Sequence, residues 1–304
     1  FASDSGYTYC QKIHGIKIDS SPHVGIRLDG GDYLEYGVFK IYACTIMVDA
    51  RNLLYPTYAG LCNSNANPYG IAVQFAGPGS EIYGNRVTSG TNYRGGRGAL
   101  IEGACGTASS NVLFHDNYLD VHEGPNAEYD ETHVENHALR IRNDSKYLHL
   151  YNNTVINTGD DDVGTPAYAR AISALRYTFG DLYRETVSHN TIENNLFRCN
   201  TIPSPEGITS YAVCFDAVAV PDTTLIFRNN RIEGDNVLVK YGEVNPPGAK
   251  GITMSGDTLR FHNTTWNPQT FHVGHLNNNW DCSANWGKDL VFENGASDTN
   301  IIFS

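Results

Sequence analysis

The 304-residue sequence predicts an all-β chain wound as a solenoid of short parallel strands, about seven or eight coils long and forming one domain over residues 1–304. Three observations predict it. An apolar-x-x-Asn-x-apolar motif returns at intervals of about 32 to 40 residues. A second segment with period-two alternation precedes each copy by about ten residues. The composition, 40% apolar but only 18% charged and with 30 glycines, is that of turn-rich β structure and argues against a coiled coil or a disordered chain.

Taken in chain order, the motif reads Ile82, Asn85 and Val87, then Phe114, Asn117 and Leu119, then Leu150, Asn153 and Val155. It continues with Val187, Asn190 and Ile192, and with Phe227, Asn230 and Ile232. Flanking copies are degenerate, with Cys44 or Thr264 at the Asn position. The preceding strands are "GIAVQF" (70–75), "GALIEG" (98–103), "HALRIR" (137–142), "RAISAL" (170–175), "YAVCFD" (211–216) and "GITMSG" (251–256). Helical solenoids repeat at similar lengths, but a local period of two with β-branched residues selects strands. Each unit is expected to be a coil of three strands whose backbone groups pair with the next coil. An Asn at a fixed tight bend tolerates left-handed geometry, and its amide can bond the equivalent Asn above and below. Residues 1–24 read as a first coil or cap, and 267–304 as atypical closing coils.

These Asn-centred copies and their preceding strands, over about residues 25 to 266, resemble the single-stranded right-handed parallel β-helix of the pectin-lyase-like superfamily. The resemblance implies that "HALRIR" is the first strand of its coil, "YLHLYN" the second and "TVINTG" the third. It also implies a polysaccharide groove beside the first-strand sheet. The connections at 88–97, 120–136, 157–169, 193–210 and 233–250 hold most of the extra length and would line one side of that groove. Loops carried on a rigid scaffold are where function concentrates.

A net charge of −12 argues against a broad basic surface for nucleic acid. No run of 18 apolar residues suggests a membrane span. The chain opens on Phe1 without Met or a leader, and is expected to be a trimmed or processed product of a secreted, extracellular or virion-surface protein. Seven cysteines cannot all pair with one another and show no zinc spacing. Cys199 and Cys214 form either a disulfide or two buried free thiols.

On "HALRIR", Leu139 and Ile141 should face the core, leaving Arg140 and Arg142 outside. Neighbouring coils would add Arg97, Glu102, Arg176 and Asp216, and the connections Glu131, His133, Asp160, Asp161, Asp162 and Arg170. Three functions fit. A lyase on an acidic glycan needs a cation or Arg to neutralise the substrate carboxylate, and a base for the neighbouring proton. Arg140, Arg142 and His137 or His133 would serve as base and clamp, with Glu102, Arg97, Arg170, Arg176 and Asp216 contacting substrate. Asp160, Asp161, Asp162 and Glu131 would suit Ca2+, which takes several carboxylate oxygens; no organic cofactor is expected. A glycoside hydrolase needs two carboxyl groups across the bond, for which Asp161 and Asp162 are the candidates. "NTGDDDVG" is faintly similar to the Gly-Asp-Asp segment of polygalacturonase-type hydrolases, but that family's other motifs are absent. The third function is non-catalytic: a glycan-binding or structural β-helix, monomeric, or trimeric as in a phage tailspike.

Each candidate also has a plain reading. The aspartates could be a solvated turn, and Arg140 and Arg142 could pair with Glu102. His115, His189 and His262 are expected at turns or on the surface. The lyase is the favoured function.

Overall fold

The structure is a computed structural model that describes residues 10–21, 24–30, 37–48, 69–89, 97–123, 135–142, 145–159, 171–179, 189–201, 209–217, 225–234, 237–241, 252–255, 257–261 and 301–303. Every regular element among them is a β-strand, and the strands form three parallel sheets. Sheet A stacks β1 (Cys10–His14), β4 (Val38–Tyr42), β7 (Glu81–Tyr83), β10 (Val112–His115), β13 (Leu148–Tyr151), β16 (Asn190–Glu193), β19 (Leu225–Arg228) and β22 (Ile252–Ser255). Sheet B stacks β2 (Lys17–Ser21), β5 (Thr45–Val48), β8 (Arg86–Ser89), β11 (Tyr118–Glu123), β14 (Thr154–Gly159), β17 (Leu196–Thr201), β20 (Arg231–Gly234), β23 (Thr258–Phe261) and β24 (Ile301–Phe303). Sheet C runs through β3 (Ile26–Asp29), β6 (Tyr69–Gln74), β9 (Arg97–Glu102), β12 (Glu135–Arg142), β15 (Ala171–Phe179), β18 (Thr209–Ala217) and β21 (Val237–Tyr241). The chain visits A, B and C in turn seven times. This is a parallel β-helix, and sheet C is the sheet expected from "HALRIR".

One residue of each alternating pair points into the coil, and successive coils repeat the choice. In sheet C the inward rows are Ile71, Ala99, Leu139, Leu175 and Val213, and Val73, Ile101, Ile141 and Tyr177. Sheet A contributes Ile41, Ile82, Phe114, Leu150, Ile192 and Phe227, and sheet B Ile46, Val87, Leu119, Val155, Phe197 and Ile232. Each is almost wholly buried. A one-residue slip in any coil would turn its whole row outward, so the apolar alternation sets the register.

Where the chain enters sheet C it holds a column of small residues: Gly25, Gly70, Gly98, Ala138, Ala174 and Ala212. A Cβ on Gly98 would lie 2.3 Å from the backbone oxygen of Ala138, and one on Gly70 would lie 2.2 Å from a Val87 methyl. A backbone oxygen cannot rotate away. Gly98→Ala is therefore expected to destabilise the fold by about 2 kcal/mol or more, read as a lowered urea midpoint with an unchanged m-value.

The Asn ladder lies in the A-to-B turn. The Oδ1 of Asn117 accepts from the backbone N–H and Nδ2 of Asn85, at 3.1 and 2.9 Å. Asn153 does the same for Asn117, Asn195 for Asn153, and Asn230 for Asn195. Cys44 joins through its N–H to Asn85 Oδ1 at 3.0 Å, and Asp257 receives both bonds of Asn230 at 2.7 and 3.0 Å. The second Nδ2 hydrogens go to inward-strand carbonyls such as Ile82 O and Phe114 O. A column of buried amides is tolerable only because each is answered this way.

Three expectations are corrected. Asn190 is not a ladder member; Asn195 is. "VSHNTI" satisfies the apolar spacing, but "NTIE" is itself the sheet A strand β16. Asn190 instead closes the C-to-A turn: its Oδ1 accepts from Leu148 N at 2.8 Å, and its Nδ2 donates to Ser145 O at 2.6 Å and to the Tyr177 hydroxyl. Likewise the ladder position near the C-terminus is Asp257 rather than Thr264, so "GITMSG" supplies β22 of sheet A, and the sheet C strand of the preceding coil is "VLVKY". Finally, the left-handed residue is the one before each ladder amide. Ala43, Asp116, Asn152, Asn194 and Asn229 have φ between 52° and 58°, and Gly84 has 61°.

Candidate functional site

Two of the outward rows of sheet C follow from the same register. The first row, Tyr69, Arg97, His137 and Ser173, lies across a break in the alternation, because the small-residue column and the residue after it both face the core. His137 of that row meets the outward Arg176. The next is Arg27, Ala72, Leu100, Arg140, Arg176 and Cys214, and the last is Asp29, Gln74, Glu102 and Arg142. The sheet thus brings together six sequence candidates: Arg97, Glu102, His137, Arg140, Arg142 and Arg176. Asp216 lies on β18 in the row of Arg142, and its side chain lies outside the described residues. Glu131, His133, Asp160, Asp161, Asp162 and Arg170 also lie outside the described residues.

The first row is polar yet almost dry. Tyr69, Arg97, His137 and Ser173 are 4%, 7%, 2% and 1% exposed, so their polar atoms need partners inside the protein. Arg97 donates to the Tyr69 hydroxyl at 3.1 Å and lies over that ring at 5.4 Å from its centroid. His137 Nδ1 and Ser173 Oγ are 2.8 Å apart, and Arg176 Nη1 donates to His137 Nε2 at 3.1 Å. The last row is a relay across four coils. Arg27 donates to Gln74 Oε1 at 2.8 Å, Gln74 donates to Glu102 Oε2 at 2.6 Å, and Arg142 Nε pairs with Glu102 Oε1 at 3.2 Å. The ion-pair reading of Arg142 is therefore realised.

Arg140 differs. It stands between Leu100 and Arg176, and its Nε is buried with no hydrogen-bond partner among the described residues. A cation held in a half-buried place beside another cation, with a donor unanswered, is unfavourable unless an anion is brought to it.

Sheet A supplies the contrast. Its outer face carries a stack of His14, Tyr42, Tyr83, His115 and Tyr151, with ring centroids 4.6 to 5.2 Å apart. His115 is buried within this stack, not at a turn. The charges there are matched: Lys40 with Glu81 at 2.9 Å, His115 with Glu81 and Asp116, and Glu193 with Arg228 and His149. The Lys40 hydrogen bond holds the Glu81 carboxyl below its ordinary value against burial, with help from His115. Burial acts to raise Glu193, and hydrogen bonds from Arg228 and His149 outweigh it. Lowered carboxyl groups stabilise the fold above their unfolded value and lose that contribution as pH falls through the folded value. Stability should therefore fall on acidification below about pH 4.5. In thermal melts the Glu81→Gln/Glu193→Gln variant should decline less steeply there than wild type. Among the described residues these paired groups of sheet A answer one another.

Four site residues escaped the sequence reading: Arg27, Tyr69, Gln74 and Ser173. Starting "GIAVQF" and "GALIEG" one residue earlier, and "RAISAL" at its Ser, puts Tyr69, Arg97 and Ser173 in one column with His137, a signal hidden because the windows followed the apolar runs. No disulfide joins Cys199 and Cys214: Cys199 faces the core from β17, while Cys214 faces outward beside Arg176. Among the described residues no three His, Cys, Asp or Glu side chains converge to hold a metal ion.

The described outer face of sheet C thus carries five arginines and one histidine against Asp29 and Glu102, on a chain of net charge −12. Comparison with protein-family models, with curated proteins and with solved structures finds no match.

Proposed function

We propose that this chain is a carbohydrate-active enzyme, a lyase that cleaves an acidic polysaccharide lying along the outer face of sheet C. The observation that carries this reading is Arg140, a half-buried guanidinium whose Nε has no hydrogen-bond partner among the described residues, in a cation-rich patch of an acidic protein. A carboxylate on the polymer is the anion such a place would accept, and planar bidentate recognition is what arginine does best. Neutralising that carboxylate lowers the barrier to removing the proton on the adjacent carbon. A base takes the proton, a carbon–carbon double bond forms, the glycosidic C–O bond breaks, and a proton goes to the leaving oxygen. Arg176, one coil on from Arg140, would receive a neighbouring acidic group of the same polymer.

Membership of the pectin-lyase-like superfamily belongs to the same proposal, supported by the three parallel sheets, the A–B–C coil order and the Asn ladder. So does a secreted or surface setting, where such polymers occur. Ca2+ assistance through Asp160, Asp161, Asp162 and Glu131 rests on residue type alone, and no step is routed through it.

The test incubates the protein with a panel of acidic polysaccharides and follows the ultraviolet absorbance of the unsaturated product, with Ca2+ and then with EDTA. A rise on one polymer supports the lyase, and its loss in EDTA brings in the metal. New reducing ends without absorbance would replace the lyase by a hydrolase. Binding without either product would leave a non-catalytic glycan-binding or structural β-helix.

A further inference from the structure

We propose that His137 is the positioning residue of this site, held neutral with its proton on Nδ1, and that its acceptor nitrogen aims Arg176. The inference deepens the acidic-polymer reading and rests on it only for the ligand.

The argument is one of donors and acceptors. A guanidinium donates and never accepts, so the Arg176 Nη1 bond at 3.1 Å requires a lone pair on His137 Nε2. Neutral imidazole carries its one proton on the other nitrogen, so Nδ1–H donates to Ser173 Oγ at 2.8 Å. Both ring nitrogens are thereby committed in a side chain only 2% exposed. Ser173 stands directly opposite His137 in the register, and Arg176 is three residues further along β15, so one strand presents both partners.

Two consequences follow. His137 cannot take a substrate proton while Nε2 holds Arg176, which removes it from the base candidates. Protonating Nε2 would set N–H against N–H, and would add a charge to a face that is already cationic. The titratable and charged groups presented on this side by the packed strands are Tyr69 on β6, Arg97 and Glu102 on β9, and Arg140 and Arg142 on β12. Arg176 on β15 and Cys214 on β18 complete them among the described side chains. Arg176 then keeps its aim only while His137 is neutral, and anion capture should weaken as the solution becomes acidic.

The first arm of the test is a long-range proton–nitrogen spectrum of the imidazoles in the full-length protein, with His137 assigned through His137→Gln. Protonated Nδ1 and bare Nε2 are expected; a proton on Nε2 at neutral pH would overturn the proposal. The second arm titrates polygalacturonate, chosen as a carboxylate polymer, across the acid-to-neutral range. His137→Phe should weaken binding about tenfold at neutral pH, and His137→Gln, whose amide can accept from Arg176 without titrating, should recover most of that loss. The Gln variant should also flatten the pH profile, because nothing at that position then protonates. Equal losses in the two variants, or an unchanged profile in Gln, would overturn the positioning role. Absence of binding in wild type would count against the acidic-polymer reading, while the spectrum still decides the tautomer.

Discussion

Asn153→Ala is expected to destabilise the protein by about 3–5 kcal/mol. The Asn153 Oδ1 is the acceptor for both the N–H and the Nδ2 of Asn117, and its own amide answers Asn195 Oδ1 and Phe114 O. Alanine leaves a buried backbone N–H and a buried amide without an acceptor, too far from solvent for water to replace the lost bonds. The adjacent Asn152 gives the contrast. It is exposed, with φ of 55°, and its role is conformational. Glycine fits that backbone, so Asn152→Gly should change stability by less than about 1 kcal/mol, whereas Asn153→Gly should cost as much as Asn153→Ala. Urea unfolding of the three variants separates the roles of two identical neighbours. Equal effects at 152 and 153 would mean that the ladder contributes little.

Arg140→Met should do the opposite to stability and the most damage to function. Methionine keeps much of the aliphatic stem of arginine while removing a charge that sits beside Arg176 and a donor that nothing among the described residues accepts. The unfolding midpoint should hold or rise, since an apolar group there removes a buried Nε that has no hydrogen-bond partner among the described residues. Affinity for an acidic polymer should fall about 10- to 100-fold, the range of one charge-assisted bidentate contact. Arg142→Met tests the specificity of the effect. Arg142 pairs with Glu102, so its loss removes a cation from beside a carboxylate that is 8% exposed and should lower stability. A variant pair with the reverse pattern would show that Arg140 is structural and Arg142 is the anion receptor.

The winding was legible because it depends on a repeated, local choice: one apolar residue in, one polar residue out, and an amide at the bend. Leu139 and Ile141 face inward as alternation requires, and Arg140 and Arg142 face out. What misled was a motif that occurs twice in one coil. Both Asn190 and Asn195 are buried amides bracketed by apolar residues, and only the hydrogen bonds distinguish the ladder amide from the one closing the C-to-A turn. The site was legible as a list of residue types on one face and not as a set of relationships. Whether Arg142 is an available cation or one half of a pair depends on Glu102 lying directly opposite, forty positions earlier in the chain. Ser173 and Gln74 carry no charge and drew no attention, yet they fix His137 and Glu102.

The two ends of the amide column say something about how such a chain keeps count. Every interior member both gives hydrogens toward the next coil and receives them from the one before. Cys44, at the head of the described column, has no side-chain oxygen and can only give; Asp257, the last described member, takes the N–H and Nδ2 hydrogens of Asn230 on its Oδ1. Among the described residues the column thus opens with a residue that cannot receive and runs to one that need not give. The aligned amides also leave the column with a positive pole at the Asp257 end, where the side chain presents an accepting oxygen rather than another amide N–H. Coils could be added or removed between those two residues without rewriting them, so the rod can change length during evolution one whole turn at a time.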